Sequence, residues 1–153
     1  MKGRIVTRLF KLVGKKGKGP FADFGTIVPS LAREFMSQSE EIRSAGSKEI
    51  AVFEPKKSSD HLEGEFCVGL LVKCPVQTVP IGMTYMEVGG NYATARGKME
   101  GLTELHASLQ KWTAGNGCQI NLTDSIIEVY HPTEAGEEVE IFLPILSDST
   151  NIS

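Results

Sequence analysis

Ile127-Glu128-Val129-Tyr130-His131-Pro132 repeats, at a shift of 77 residues, the pattern of Ile50-Ala51-Val52-Phe53-Glu54-Pro55. Upstream of each, Gly19, Phe24, Ile27 and Leu31 recur as Gly97, Leu102, Leu105 and Leu109, a shift of 78. Downstream, each half continues into a second apolar run, Glu65 to Val72 and Glu138 to Leu146. A chance apolar match explains one such piece; several in the same order at a nearly constant shift point to duplication. Each half then reads as strand, Gly-containing turn, helix, strand, strand. The expectation is a single domain over 1–153, with repeat one at about 4–75, repeat two at about 79–146 and a tail at 147–153.

Local signals agree. Residues 4–13 and 83–96 are β-prone, the latter interrupted by Gly89-Gly90, which reads as a turn or bulge. Thr26 can cap the first helix, placing Pro29 in its first turn, where the missing N–H costs little. Ile27, Val28, Leu31 and Phe35 then line one face. Leu102, Leu105, Leu109 and Trp112 form a buried stripe on the second helix, which Gly115-Asn116-Gly117 ends. Ile126–Tyr130 and Val139–Leu143 are short strands bounded by turn residues. Two β-α-β-β units imply an α+β fold: an antiparallel sheet with two helices on one face.

Composition limits the alternatives. The chain has 153 residues, a net charge of −3, 41% hydrophobic and 23% charged residues, enough for a core without metal or disulfide staples. No run approaches the roughly 20 apolar residues of a membrane span, and Met1-Lys2-Gly3-Arg4 leads into no secretory block. Cys67 and Cys74 read as sharing one strand on opposite faces, which forbids a bridge; reduced thiols and a cytoplasmic location are expected. His61, His106 and His131 are isolated, so neither a metal nor a cofactor is expected. Seven basic residues crowd the first 18 positions, whereas acids accumulate after Lys111. A nucleic-acid footprint is the sharp reading of this asymmetry. The bland one, a basic first strand near an acidic last one or two solvated faces, fits better, because no aromatic run accompanies the basic residues.

Glu128-Val129-Tyr130 carries the most information about function. Residues two apart on a strand share a face, so Ile127 and Val129 are expected toward the helices, with Glu128 and Tyr130 on the other side. Spacing alone favours a wet face with a solvated Glu128. The other reading is an apolar cleft floored by one carboxylate. Burying an unpaired carboxylate costs several kcal/mol, so that cleft would favour a neutralising cation, and surrounding rings would add roughly 0.5–2 kcal/mol each. Phe53, at the repeat-equivalent position of Tyr130, would line it from the other half. Tyr85, Tyr92, Phe66 and Phe142 are further candidates whose faces the sequence does not settle.

These residues resemble the gyrase-inhibitory-protein-like domains, which include effector-binding domains of bacterial AraC- and MerR-type transcription regulators. The resemblance runs over about residues 4–146. Its markers are Lys18-Gly19-Pro20, Gly89-Gly90-Asn91-Tyr92-Ala93 followed by Gly97, Trp112, Glu128-Val129-Tyr130-His131-Pro132, and Glu140-Ile141-Phe142-Leu143-Pro144-Ile145. It implies tandem repeats with a ligand cleft between them, binding hydrophobic, cationic or aromatic drug-like compounds. Glu128 matches the family's central glutamate and Tyr130 its aromatic neighbour. Trp112 fits either cleft wall or core, with core favoured by its place on the leucine stripe.

The resulting expectation is a stand-alone small-molecule-binding protein, with Glu128, Tyr130, Phe53, Tyr85, Tyr92, Trp112 and Phe142 as ligand-binding candidates. An alternative is a hydrolase of reactive drug-like compounds, with Glu128 and Tyr130 as its acid–base groups; no nucleophile elbow or Cys–His pairing supports a covalent route. A third is an inhibitor of a macromolecular partner such as DNA gyrase. Residues 1–18 are too short for a helix-turn-helix, so no direct DNA binding is expected. A protein partner and a homodimer stay open.

Overall fold

The first strand carries six basic residues and three glycines yet runs unbroken for 17 residues, because two different strands share it. In the computed structural model, which describes residues 1–40, 42 and 47–146, β1 (Arg4–Pro20) pairs with β4 (Thr84–Lys98) over Arg4 to Gly14 and with β3 (Glu63–Leu71) over Leu12 to Pro20. At the handover Gly14 faces Gly69, and a Cβ on either would press into the opposing backbone, at 2.4 Å from Val68 O or 2.3 Å from Val13 O. The pair permits a close approach that side chains would forbid.

The remaining elements are α1 (Phe24–Ser37), β2 (Glu49–Phe53), α2 (Leu102–Gly115), β5 (Ile126–Thr133) and β6 (Gly136–Pro144). A 3₁₀ turn precedes each helix, Phe21–Asp23 and Met99–Gly101. All strand pairs are antiparallel, in the order β1-β3-β2-β5-β6-β4, and β4 pairs back onto β1 to close a barrel. The duplication is visible throughout. Both helices have 14 residues, start 78 positions apart and pack on the outside of the barrel. The two halves meet where β2 pairs with β5 and β1 with β4. The expected tail, 147–153, lies outside the described residues.

Closure corrects the expected orientation of the sheet. Ile127 and Val129 point into the barrel, not toward the helices, and pack there with Ile50, Val52, Leu12 and Cys67. Glu128 and Tyr130 lie on the helix-bearing face. Inside, Phe10, Tyr92 and Phe142 meet edge to face, with centroids 4.9–5.9 Å apart. Burial of each such ring contributes about 1.5–3 kcal/mol, which makes this trio the centre of the fold's stability.

Several local expectations are also revised. Helix α1 begins at Phe24 rather than after Thr26, because the 3₁₀ turn already sets the chain's direction. Pro29 therefore sits inside the helix and withholds the N–H that Gly25's carbonyl would accept. Gly89 and Gly90 make no turn: pairing continues through Leu9↔Gly89 and Arg8↔Gly90, with Gly90 at φ +154°, a value side-chain-bearing residues avoid. Cys74 lies beyond β3 and is exposed, while Cys67 is buried, and no cysteine is bridged. The end of α2 matches expectation, with Asn116 as the cap and Gly117 at φ +76°. Part of the basic start is neutralised locally: Arg4 meets Glu140 at 3.6 Å and Lys15 meets Glu34 at 3.3 Å. Among the described residues no helix is long and apolar enough to cross a membrane.

Candidate functional site

Pairing between β2 and β5 puts Ala51 directly opposite Glu128, with Ile50 opposite Val129 and Val52 opposite Ile127. Ala51 and Glu128 are also equivalent positions of the repeat. The pseudo-twofold axis of the duplication thus runs through this pair, and the carboxylate stands on it with no counterpart. Helices α1 and α2 flank the axis on the outer face. They leave between them a cleft of about 540 Å³ whose lining is mostly apolar.

The walls are repeat-equivalent positions carrying different chemistry. Phe21 and Met99, Phe24 and Leu102, and Phe53 and Tyr130 face the cleft as matched pairs, all large and mostly apolar. Three other pairs diverge: Gly25 with Thr103, Val28 with His106, and Ala51 with Glu128. Polar character at the floor is concentrated in the second half, while the first supplies a greasy wall with Glu54 and the exposed Lys56 at its edge. Within that wall Phe24 lies 5.0 Å from Phe21, 6.1 Å from Phe53 and 5.2 Å from Phe66, centroid to centroid. Phe66 supports this wall from beneath α1.

At the floor, Glu128 is 6% exposed and both its oxygens are engaged. Tyr130 donates its hydroxyl to Oε1 at 2.6 Å, and His106 Nε2 meets Oε2 at 2.6 Å. The acid is therefore not unpaired, as the sequence suggested; two charge-assisted hydrogen bonds offset its desolvation. Burial above all, and then the charge and hydrogen bond of Glu128, push the Tyr130 hydroxyl far above the usual tyrosine range, so it stays a donor. Glu54 at the rim is already occupied, accepting the Glu65 N–H at 2.9 Å and lying 3.5 Å from His61.

Of the seven residues expected to bind ligand, the structure brings Glu128, Tyr130 and Phe53 together in the cleft. It places the other four elsewhere. Tyr92 and Phe142 belong to the barrel interior, because their strand positions face inward once the sheet closes. Trp112 continues the α2 stripe and covers Gly3, where a Cβ would sit 2.5 Å from the indole. Tyr85 donates its hydroxyl to Glu87 at 2.6 Å, on a part of β4 that does not line the cleft. Sequence reasoning missed His106. Its signal was present: it lies four residues after Leu102, hence on one helical face with it, and is the repeat equivalent of Val28. Among the described residues no group of three or more His, Cys, Asp or Glu side chains is arranged to hold a metal ion.

Neither a protein-family model nor a curated protein sequence matches the chain. Solved structures do resemble it. The structure of SAV2435 bound to tetraphenylphosphonium aligns with a TM-score of 0.69 at 9% identity, covering 96% of this chain and 95% of that one. The C-terminal domain of EcmrR aligns at 0.60 and 14% identity, covering 95% and 98%. A hydrolase from Listeria innocua aligns at 0.55 and 12% identity, covering 95% and 92%. At such identities the likeness speaks for the fold, and that fold is consistent with the gyrase-inhibitory-protein-like architecture the sequence resembles.

Proposed function

We propose that the protein binds hydrophobic aromatic cations in the cleft between α1 and α2. The observation that carries this reading is a buried carboxylate at the floor of an apolar, ring-lined hollow of about 540 Å³. Tyr130 and His106 each take one acceptor site of Glu128, so the carboxylate acts on a cation chiefly through its charge, which suits diffuse, weakly hydrated cations. Phosphonium and quaternary ammonium groups have that character, and their bulk suits the walls of Phe24, Phe53 and Leu102. The fold shared with a tetraphenylphosphonium-bound protein and with a regulator domain supports the same reading. Calorimetric titration of tetraphenylphosphonium into wild type and Glu128→Gln tests it. The substitution keeps the shape and removes the charge, so affinity should fall about 10- to 100-fold. Equal affinities would remove Glu128 from recognition.

One observation favours a second reading, hydrolysis. His106, Glu128 and Tyr130 form a continuous hydrogen-bonded chain at the floor of the cleft. In this reading water attacks a strained electrophile, His106 or Glu128 takes the water's proton, and Tyr130 protonates the departing atom. Product formation from such compounds, abolished by Glu128→Gln, would establish turnover. A rate no higher than buffer would leave binding alone.

A further inference from the structure

We infer that the cleft is the first of two connected chambers and that its ligand is an elongated, two-lobed aromatic cation whose second lobe passes behind Tyr130. This rests on the reading of the first chamber as a cation site. A second hollow of about 350 Å³ opens between α1 and strands β2 and β3. It shares Val28, Pro29, Met99 and Tyr130 with the cleft, so the two meet along one edge, with the tyrosine lining both. Its own walls are apolar, formed by Ala32 and Phe35 of α1 and by Ala51 and Val68 of the sheet. Such walls suit a ring or an aliphatic chain rather than a hydrated group. Polar residues enter only as Arg33, Glu49 and Glu137, two acids against one base. Both acids also help to hold the proton on Tyr130, after burial and Glu128, so the negative potential of the floor extends into the second chamber. A compact cation fills the first chamber alone. A molecule with two aromatic cationic ends joined by a chain places one end beside Glu128, threads the chain past Val28 and Met99, and buries the other beyond Tyr130.

Two positions separate the chambers experimentally. Gly25 lines only the first, and a Cβ there meets nothing within 4 Å, so Gly25→Leu intrudes on it alone. Ala32 lines only the second, so Ala32→Phe fills that one. The probes are tetraphenylphosphonium, the aromatic diamidine pentamidine, and 4-butoxybenzamidine, which lacks the second ring and charge. Wild type should bind pentamidine about tenfold or more tightly than 4-butoxybenzamidine. Ala32→Phe should erase that advantage and leave the affinity for tetraphenylphosphonium within about twofold; Ala32→Leu gives the same readout should the larger ring prevent folding. Equal binding of pentamidine and its half by wild type, or an advantage that survives filling at position 32, overturns the second chamber. Failure of wild type to bind tetraphenylphosphonium, or binding untouched by Gly25→Leu, instead overturns the first-chamber reading on which it rests.

Discussion

Strand β5 serves two environments with alternate residues. Ile127 and Val129 enter a closed barrel among mostly apolar neighbours, with His131 and Glu140 at one end; Glu128 and Tyr130 face outward, into a gap that two helices only partly cover. The inner face is complete, and its rings satisfy one another. The outer face is unfinished along the pseudo-twofold axis, where neither helix reaches over the Ala51–Glu128 pair. In the function proposed above, stability and recognition fall on opposite sides of one strand.

The largest effect expected from breaking this division is on the inside. Phe142→Ala empties the centre of the Phe10–Tyr92–Phe142 trio and should cost about 3–5 kcal/mol in denaturant unfolding. Phe53→Ala on the outer face, next to an existing hollow, should cost clearly less and should weaken ligand binding. Equal losses at the two positions would erase the distinction. Next in size is the response to alkali. Burial raises the Cys67 thiol from 9.0 to about 11, and burial with the charge of Asp124 raises the Tyr92 hydroxyl from 10.0 to about 12. The unfolded chain loses these protons first, so stability is complete below about pH 9 and declines as pH rises through 9 to 12, by about 3 kcal/mol for Cys67 alone. Unfolding curves at stepped pH measure this, and a flat profile would deny burial of these groups.

The acid limb should be smaller. His131, on the inner face, accepts from Lys48 Nζ at 2.9 Å and donates to Glu140 at 3.1 Å, and burial lowers its pKa below 6.5. The unfolded chain takes up this proton more readily, so the contribution holds above about pH 6.5 and is lost as pH falls below it. His131→Gln should flatten that limb without changing ligand affinity. The smallest effect concerns thiol chemistry: exposed Cys74 should react with an aromatic disulfide reagent well before buried Cys67, whose raised pKa also leaves little thiolate. Equal rates would mean that the barrel opens as readily as its surface loops move.

How far the sequence reveals this division can be judged residue by residue. The duplication was legible because apolar spacing survives in both halves, and it carried the α+β class, the order of elements along each half and the equivalence of Phe53 with Tyr130. Alternation also separated Glu128 from Val129 correctly. It could not say which side was inside, because both faces of these strands are apolar. On β6, Val139, Ile141 and Leu143 lie under α2, while Phe142 fills the barrel. Only closure of β4 onto β1 distinguishes them, a contact between residues 70 to 90 apart in sequence that local pattern does not encode. For that reason Tyr92 and Phe142 read as cleft residues and are not. His106 was overlooked for a related reason: a histidine beside a leucine stripe looks like surface until the helix is laid over Glu128.

The central claim is that a hydrophobic cation seats between the helices, against Glu128. A crystal structure of the protein with tetraphenylphosphonium tests this most directly. The account predicts the phosphonium on the pseudo-twofold axis, its rings against Phe24, Phe53 and Leu102, and the Glu128 carboxylate still held by Tyr130 and His106. A compound bound elsewhere, with the hollow between α1 and α2 left to water, would contradict it.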